Sequence, residues 1–216
     1  MFTATCPYDR APDGPCDIQP DSAPKLLIHP LGDPDPHRGE VEAFIHRIYA
    51  QHYGADVRQF APTLVSLRDA TGIVAAAGYR SAGDGPLFLE RYFAAPIESV
   101  LASGADVPPE RHRIVEIGHL SADRPGEGSR LIRLMALHLQ SLPFEWVVST
   151  MTTGLRHMFL RMGITPLALG RADPDSLGTD AAQWGRYYEH HPVVLAGRLH
   201  QALGQLARRR VDAERP

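Results

Sequence analysis

The sequence predicts a single α/β (α+β) domain, one mixed sheet with helices on both faces. Three observations carry this reading. Residues 113–151 run strand, glycine loop, helix, strand, which is a right-handed parallel crossover. Residues 63–93 hold three short strand-like runs separated by turn residues, an antiparallel meander. Apolar residues at helical spacing flank both blocks, at 36–53 and 194–210. The length agrees: 216 residues form one generous domain that can bury a core without disulfide or metal staples.

The elements follow in order. Pro7, Pro12, Pro15, Pro20 and Pro24 alternate with Asp9, Asp13, Asp17 and Asp21, so residues 1–25 read as a disordered or loosely draped arm. Cys6 and Cys16 both fall there, too few for a disulfide scaffold. Val41, Phe44, Ile45, Ile48 and Tyr49 paint one stripe of a helix that starts at Asp35-Pro36 and stops at Gly54. Thr63–Arg68, Ile73–Arg80 and Leu87–Phe93 make the meander, turning at Asp69–Gly72 and at SAGDGP. Pro96 opens a short helix to Ser103. Arg113–Leu120 is a strand, Ser129–Leu142 a helix, Phe144–Met151 an apolar strand of the kind buried on both faces. Thr153–Arg161 is a helix ended by Gly163. Ile164–Leu169 and Trp184–His190 are the last strands, and Val194–Arg210 is the terminal helix. The domain therefore spans 26–200, with 201–216 as the end of that helix and a basic tail.

Composition excludes several function classes. With 22 basic and 25 acidic residues the formal charge is −3, without the excess that sequence-independent nucleic-acid binding needs. No apolar run approaches the ~20 residues of a membrane-spanning helix. The opening MFTATCPYDRAPDGP has neither the basic start nor the apolar centre of a secretory signal, so a cytoplasmic location is expected. Metal spacing is missing too: Glu42 and His46 stand four apart without an HExxH, and His190-His191 is a bare pair. No metal is expected.

The segment 113–140, RIVEIGHLSADRPGEGSRLIRLMALHLQ, is the richest in chemistry. Gly126 and Gly128 allow close backbone approach, and the helix start at Ser129 offers unpaired N–H groups at a positive dipole end. With Arg124 they are candidates to hold a phosphate; a plain flexible loop with a serine cap is the competing reading. The spacing fits neither G-x-G-x-x-G nor a P-loop. Glu116, flanked by Val115 and Ile117, needs a partner or a shifted pKa, and an ion pair with Arg91 or Arg113 competes with a catalytic role. His119 is a candidate proton shuttle or a satisfied polar-core residue. Glu90 and Tyr92 would share one strand face and line an acceptor pocket, unless they are an ordinary solvent-facing pair. Thr150, with Ser149 and Thr152, ends the buried strand, a candidate ligand contact with cap and turn duties as an equal reading. There is no G-x-S-x-G elbow and no partnered cysteine, which disfavours a covalent acyl-enzyme.

Arg124-x-Gly126-x-Gly128 between strand and helix resembles the acyl-CoA loop of GNAT-type N-acyltransferases, with the arginine one residue closer than is typical. That resemblance implies that the strand before the loop splays from its neighbour, that pantetheine enters the gap, and that Glu116 on this strand is the general base. Glu116-Ile117-Gly118-His119 is also similar to the Glu-x-x-Arg pattern of acyl-homoserine-lactone synthases, with histidine in the arginine's place. Five segments in order, LFLERYFAAPIE (87–98), VEIGHLSA (115–122), FEWVVST (144–150), LRHMFLRMGITPLALGRADP (155–174) and WGRYYEHHPVVLAG (184–197), resemble the thermostable hemolysin family, whose expected fold is GNAT-like. His119 and His157 stand where asparagine is usual there, and Ala94 where aspartate is usual.

The expected function is transfer of an acyl group from acyl-CoA or an acyl-carrier protein to an amine, with a hydroxyl as second choice. Glu116 and His119 are the expected catalytic residues, and Arg124, Gly126, Gly128 and Ser129 the donor-binding ones. Glu90, Tyr92 and Thr150 are expected at the acceptor. The thioester is a co-substrate, and no tightly bound cofactor is expected. Arg130, Arg133, Arg156 and Arg161 are candidates to face an acidic carrier. Two alternatives stand beside this: a membrane-active protein using the helix of Leu195, Leu199, Leu203, Leu206 and Arg208–Arg210, or a GNAT-like fold repurposed for ligand binding or other chemistry.

Overall fold

The computed structural model describes residues 24–102 and 107–213, with side chains described as far as Arg208. Residues 1–23 of the expected arm with both cysteines, Ser103, and the side chains of Arg209 and Arg210 lie outside the described residues, whereas Lys25, expected as the end of that arm, is the first residue of a strand.

The chain builds one seven-stranded mixed sheet. Its strands are β1 (Lys25–Pro30), β2 (Thr63–Asp69), β3 (Gly72–Ser81), β4 (Ile114–Ala122), β5 (Trp146–Met151), β6 (Leu167–Arg171) and β7 (Val193–Arg198). They lie in the order β1-β2-β3-β4-β5-β7-β6. Among the described residues only β4 and β5 pair in parallel; every other neighbour is antiparallel. The helices are α1 (Arg38–Tyr53), α2 (Ile97–Ala102), α3 (Glu127–Gln140), α4 (Thr153–Arg161) and α5 (Leu199–Ala213).

The expected crossover is present as β4–α3–β5. The α1 stripe of Val41, Phe44, Ile45, Ile48 and Tyr49 is buried against Leu64, Ala76 and Tyr187 on one face of the sheet. On the other face Leu131, Met135 and Leu139 of α3 and Leu199 of α5 pack against Val65, Leu67, Ala75 and Val115. Burial of such side chains stabilises by about 1.5–3 kcal/mol each. A third cluster joins Leu89, Ile97 and Leu101 to Ile114, Trp146 and Val148.

Three elements differ from the sequence reading. Lys25–Pro30 carries no strand signal in the sequence, yet it forms the edge strand β1, pairing with β2 from Lys25↔Arg68 to Pro30↔Thr63. His29 fastens it: Nδ1 bonds Asp35 Oδ2, and Nε2 lies 2.8 Å from Ser66 Oγ. Leu87–Phe93 is not a third meander strand. Phe88–Tyr92 forms a 3-10 turn, because the Leu87, Phe88 and Leu89 amides go to carboxylates instead of a neighbouring strand. β4 takes the free edge of β3 in its place.

The third difference is at the C-terminal end. Trp184–His190 is a run of 3-10 turns, broken at Gly185 (φ 51°) and His191 (φ 49°). The strand is Val193–Arg198, and the terminal helix begins at Leu199. A slot with hydrogen-bonding partners on both sides, between β5 and β6, outweighs the helical spacing of that segment. Leu195 is therefore a strand residue, and Leu199, Leu203 and Leu206 pack into the α3 face of the core rather than presenting an apolar stripe to a membrane. No helix among the described residues is long and apolar enough to cross one.

Candidate functional site

β4 and β5 are paired over only three positions, Ile114↔Trp146, Val115↔Val147 and Glu116↔Val148. Beyond Glu116 they part. The cause is visible on the opposite edge of β4, where the ladder with β3 slips between Ala76 and Gly78 and two β4 residues face one of β3. His119 sits in this bulge with φ 57°, a left-handed conformation uncommon for a non-glycine residue. Across the ladder, Gly78 has no space for a side chain: a Cβ there would stand 2.7 Å from Ala61 Cβ and 3.0 Å from Leu64 Cδ2.

The parted strands open a cleft with two limbs. The apolar limb lies on the α3 face, between Ile117 and Leu120 of β4, Val147 and Met151 of β5, and Met135, Leu155, Phe159, Ala202 and Leu206 of the covering helices. The polar limb lies on the α1 face, where Arg80, Glu116, His119 and Thr150 meet Tyr49, Phe88, Tyr92, Trp184 and Tyr187. A mouth lined by His119, Ser149, Thr150, Thr152, Met158 and Arg161 runs between them. Ile117 lines both limbs.

Glu116 is 8% exposed and points into the polar side. Its Oε2 accepts the Phe88 N–H at 2.8 Å and its Oε1 the Leu89 N–H at 3.0 Å. Burial pushes its carboxyl above the usual range, against the pull of those two amides and of Arg80, whose Nε lies 3.8 Å from Oε2. Arg80, directly opposite in the β3–β4 ladder, is thus its ionic neighbour. Arg91 and Arg113, the expected partners, are engaged by Asp180 and Glu145.

Burial pushes the His119 imidazole down to about 4, with the charge of Arg80 adding to the effect and the Gln59 backbone opposing it. The ring is therefore neutral at pH 7. Among the described residues its Nδ1, sealed from solvent, has no hydrogen-bond partner, and neither has the buried Thr150 Oγ1. Tyr187 donates to the Thr150 carbonyl at 3.3 Å. Tyr92 and Tyr188 share a 2.6 Å hydrogen bond; burial raises both phenols, Tyr188 to about 12.

The expected placement of Glu90 needs correction. Glu90 does not share a face with Tyr92, because the segment is a 3-10 turn and not a strand. Its carboxylate instead accepts the Leu87 and Ile97 amides and pairs with Arg111 at 2.7 Å, away from the polar limb. His157 is exposed on α4 and lines none of the cleft.

At the loop, Gly126 caps α3 with φ 89°, and Gly128 and Ser129 follow in its first turn, where amides have no preceding turn to bond. Gly128 is buried, and a Cβ on it would lie 3.7 Å from Met158 Sδ, which sets the start of α3 against α4. The Arg124 guanidinium is directed elsewhere, bonding Asp69 Oδ2 at 2.9 Å and Thr71 Oγ1 at 2.6 Å in the β2–β3 turn. The loop's cationic contribution is thus spent on a hairpin tip.

Sequence reasoning missed Arg80, Trp184 and Tyr187 as lining residues. The aromatic-rich run WGRYYEHH carried a signal for the last two. Arg80 carried none, since only strand register sets it opposite Glu116.

A parallel pair splayed beside a bulged strand, with helices on both faces, is a GNAT-like fold, and solved structures share it. The chain is 16% identical to TofI, whose apo crystal structure it matches over 85% of this chain and 96% of TofI with a TM-score of 0.59. It is 13% identical to FeeM, an N-acyl amino acid synthase from uncultured soil microbes, over 85% and 95% of the two chains with a TM-score of 0.58. BjaI, a CoA-dependent acyl-homoserine lactone synthase solved with SAM and isopentyl-CoA, matches at 15% identity over 86% and 89% with a TM-score of 0.57. The chain belongs to the thermostable hemolysin family, whose model matches residues 32–203. No curated protein sequence matches it.

Proposed function

We propose that this chain is an acyltransferase that moves an acyl group from a thioester to an amine. The observation that carries the reading is the through-cleft: an apolar limb and a charged limb meet at the point where β4 and β5 separate. Such a shape suits a reaction that joins an apolar chain to a polar acceptor. The thioester of CoA or of an acyl-carrier protein enters at the mouth, its acyl chain in the apolar limb. The Gly126, Gly128 and Ser129 amides are the donors for its phosphate. Unpaired backbone of the parted strands receives the pantetheine amides.

The acceptor nitrogen attacks the thioester carbonyl, forming the C–N bond as the C–S bond breaks. Glu116, through a water molecule, takes the proton from the nitrogen, and the departing thiolate leaves as the thiol after protonation. Thr150 Oγ1 is the proposed donor to the oxyanion, a reading supported by its being a buried hydroxyl without another partner among the described residues. His119, held neutral, orders the water beside Glu116. FeeM is an N-acyl amino acid synthase and BjaI is CoA-dependent; both descriptions agree with this chemistry.

The test is direct. Purified protein is melted with CoA, with a series of acyl-CoA thioesters and with acyl-carrier protein, then assayed for thiol release across a panel of amines. Stabilisation by a thioester and amine-dependent release support the reading. If no thioester stabilises or turns over, and Glu116→Gln changes nothing measurable, the reading is lost.

A further inference from the structure

The polar limb is lined by three guanidinium groups, and they are not equivalent. Arg58 has its own carboxylate, Asp56, at 2.6 Å, and Arg91 has Asp180 at 3.0 Å. Among the described residues Arg80 has none of its own. Its nearest acidic oxygen is Glu116 Oε2 at 3.8 Å, and that carboxylate already accepts two backbone N–H groups. The other contact of Arg80 is a long 3.5 Å approach to the Pro86 carbonyl. A partly buried cation without a matched anion is costly to keep, and a guanidinium presents a planar fork suited to a carboxylate.

The surroundings narrow the ligand further. Phe88 and Trp184, with ring centroids 5.4 Å apart, and Tyr187 against Trp184 form an aromatic wall in the same limb. Arg80 lies opposite Glu116, two residues before Gly118, where the strands are already apart. An acid anchored on Arg80 therefore lies on the side of β4 where the pairing with β5 ends.

We infer that the acceptor is an α-amino acid with an apolar or aromatic side chain. Its carboxylate sits on Arg80, its side chain lies along Phe88 and Trp184, and its amine faces the thioester at the junction. This rests on the acyltransfer reading and deepens it. The products are an N-acyl amino acid and the free thiol: the new bond is the amide C–N, the broken bond is C–S, and one amine proton goes to Glu116.

The experiment compares matched acceptors on the full chain with one acyl-CoA or acyl-carrier donor that turns over. Phenylalanine is set against phenethylamine, and leucine against 3-methylbutylamine, with thiol release and product mass as readouts. The acids are expected to exceed their amines by tenfold or more in kcat/KM. Arg80→Gln is expected to raise KM for the acids at least tenfold and erase the preference, and Arg80→Lys to restore part of it. Amines used as well as the acids, or a preference that survives Arg80→Gln, would overturn the acceptor assignment while leaving acyl transfer standing. No thiol release with any acceptor and any thioester would overturn both.

Discussion

Phe88 donates its backbone N–H to Glu116 Oε2 at 2.8 Å, so a residue on β4 holds the start of a turn 28 positions earlier in the chain. Leu89 does the same to Oε1 at 3.0 Å. The carboxylate that faces the cleft also keeps the cleft's aromatic wall in place. Glu116→Gln is therefore expected to act twice. Acyl transfer should fall by about 10²–10⁴, the usual contribution of a general base. Stability should fall by about 1–3 kcal/mol, because an amide NH₂ meets one of the two N–H donors and leaves it unpaired. Kinetics and urea denaturation on the same preparation separate the two effects.

Ala202 of α5 lines the apolar limb between Leu199 and Leu206. Filling that position with Ala202→Phe should shift donor preference to shorter acyl chains. Each methylene that loses its apolar site is worth about 0.8 kcal/mol, or about fourfold in kcat/KM. A chain-length series that keeps the same maximum in the variant would place the acyl group elsewhere.

Arg124 is turned toward Asp69 and Thr71, so it should contribute little to donor binding. Arg124→Gln is expected to change the KM for a CoA thioester by less than about twofold, and to leave stability nearly unchanged because the pair is solvent-screened. Saturation curves for donor measured on both proteins decide this.

His29 bridges Asp35 and Ser66 in the order of a hydrolytic triad, but Ser66 is 0% exposed and lines no cavity among those described. The three residues clamp β1 to β2 and to the start of α1. A fluorophosphonate reagent should leave Ser66 unlabelled, as mass spectrometry of the treated protein would reveal. Ser66→Ala should cost about 1–3 kcal/mol of stability by leaving His29 Nε2 without its partner.

His119 titrates at about 4 in the folded chain and near its ordinary 6.5 when unfolded. Below 6.5 the unfolded chain binds a proton that the folded chain refuses, so stability falls as pH drops from 6.5 toward about 4. Above 6.5 the residue contributes no pH dependence. His119→Gln should flatten that part of the stability profile, read as a smaller difference between urea midpoints at pH 7.5 and pH 5.

Much of the fold was legible because it is written in local periodicity. The α1 stripe, the β2–β3 hairpin with its turn residues, and the β4–α3–β5 crossover follow from spacings of 3.6 and 2. Glu116 was conspicuous as a charge between Val115 and Ile117, and His119 and Thr150 flank the same cleft. The errors fall where local pattern and available pairing disagree. Leu87–Phe93 alternates like a strand, but its amides found carboxylates first. Val193–Arg198 has helical spacing, but the sheet offered it two neighbours.

The sequence by itself determined the class of fold, the position of the crossover and the buried acid that stands beside it, since each depends on residues close together in the chain. Tertiary structure decided which groups meet across the cleft. Register put Arg80, not Arg91 or Arg113, opposite Glu116; the β3–β4 bulge parted the strands; and the hairpin tip claimed Arg124. Each of those contacts joins residues tens of positions apart, and a one-residue slip in strand pairing would send every side chain to the opposite face.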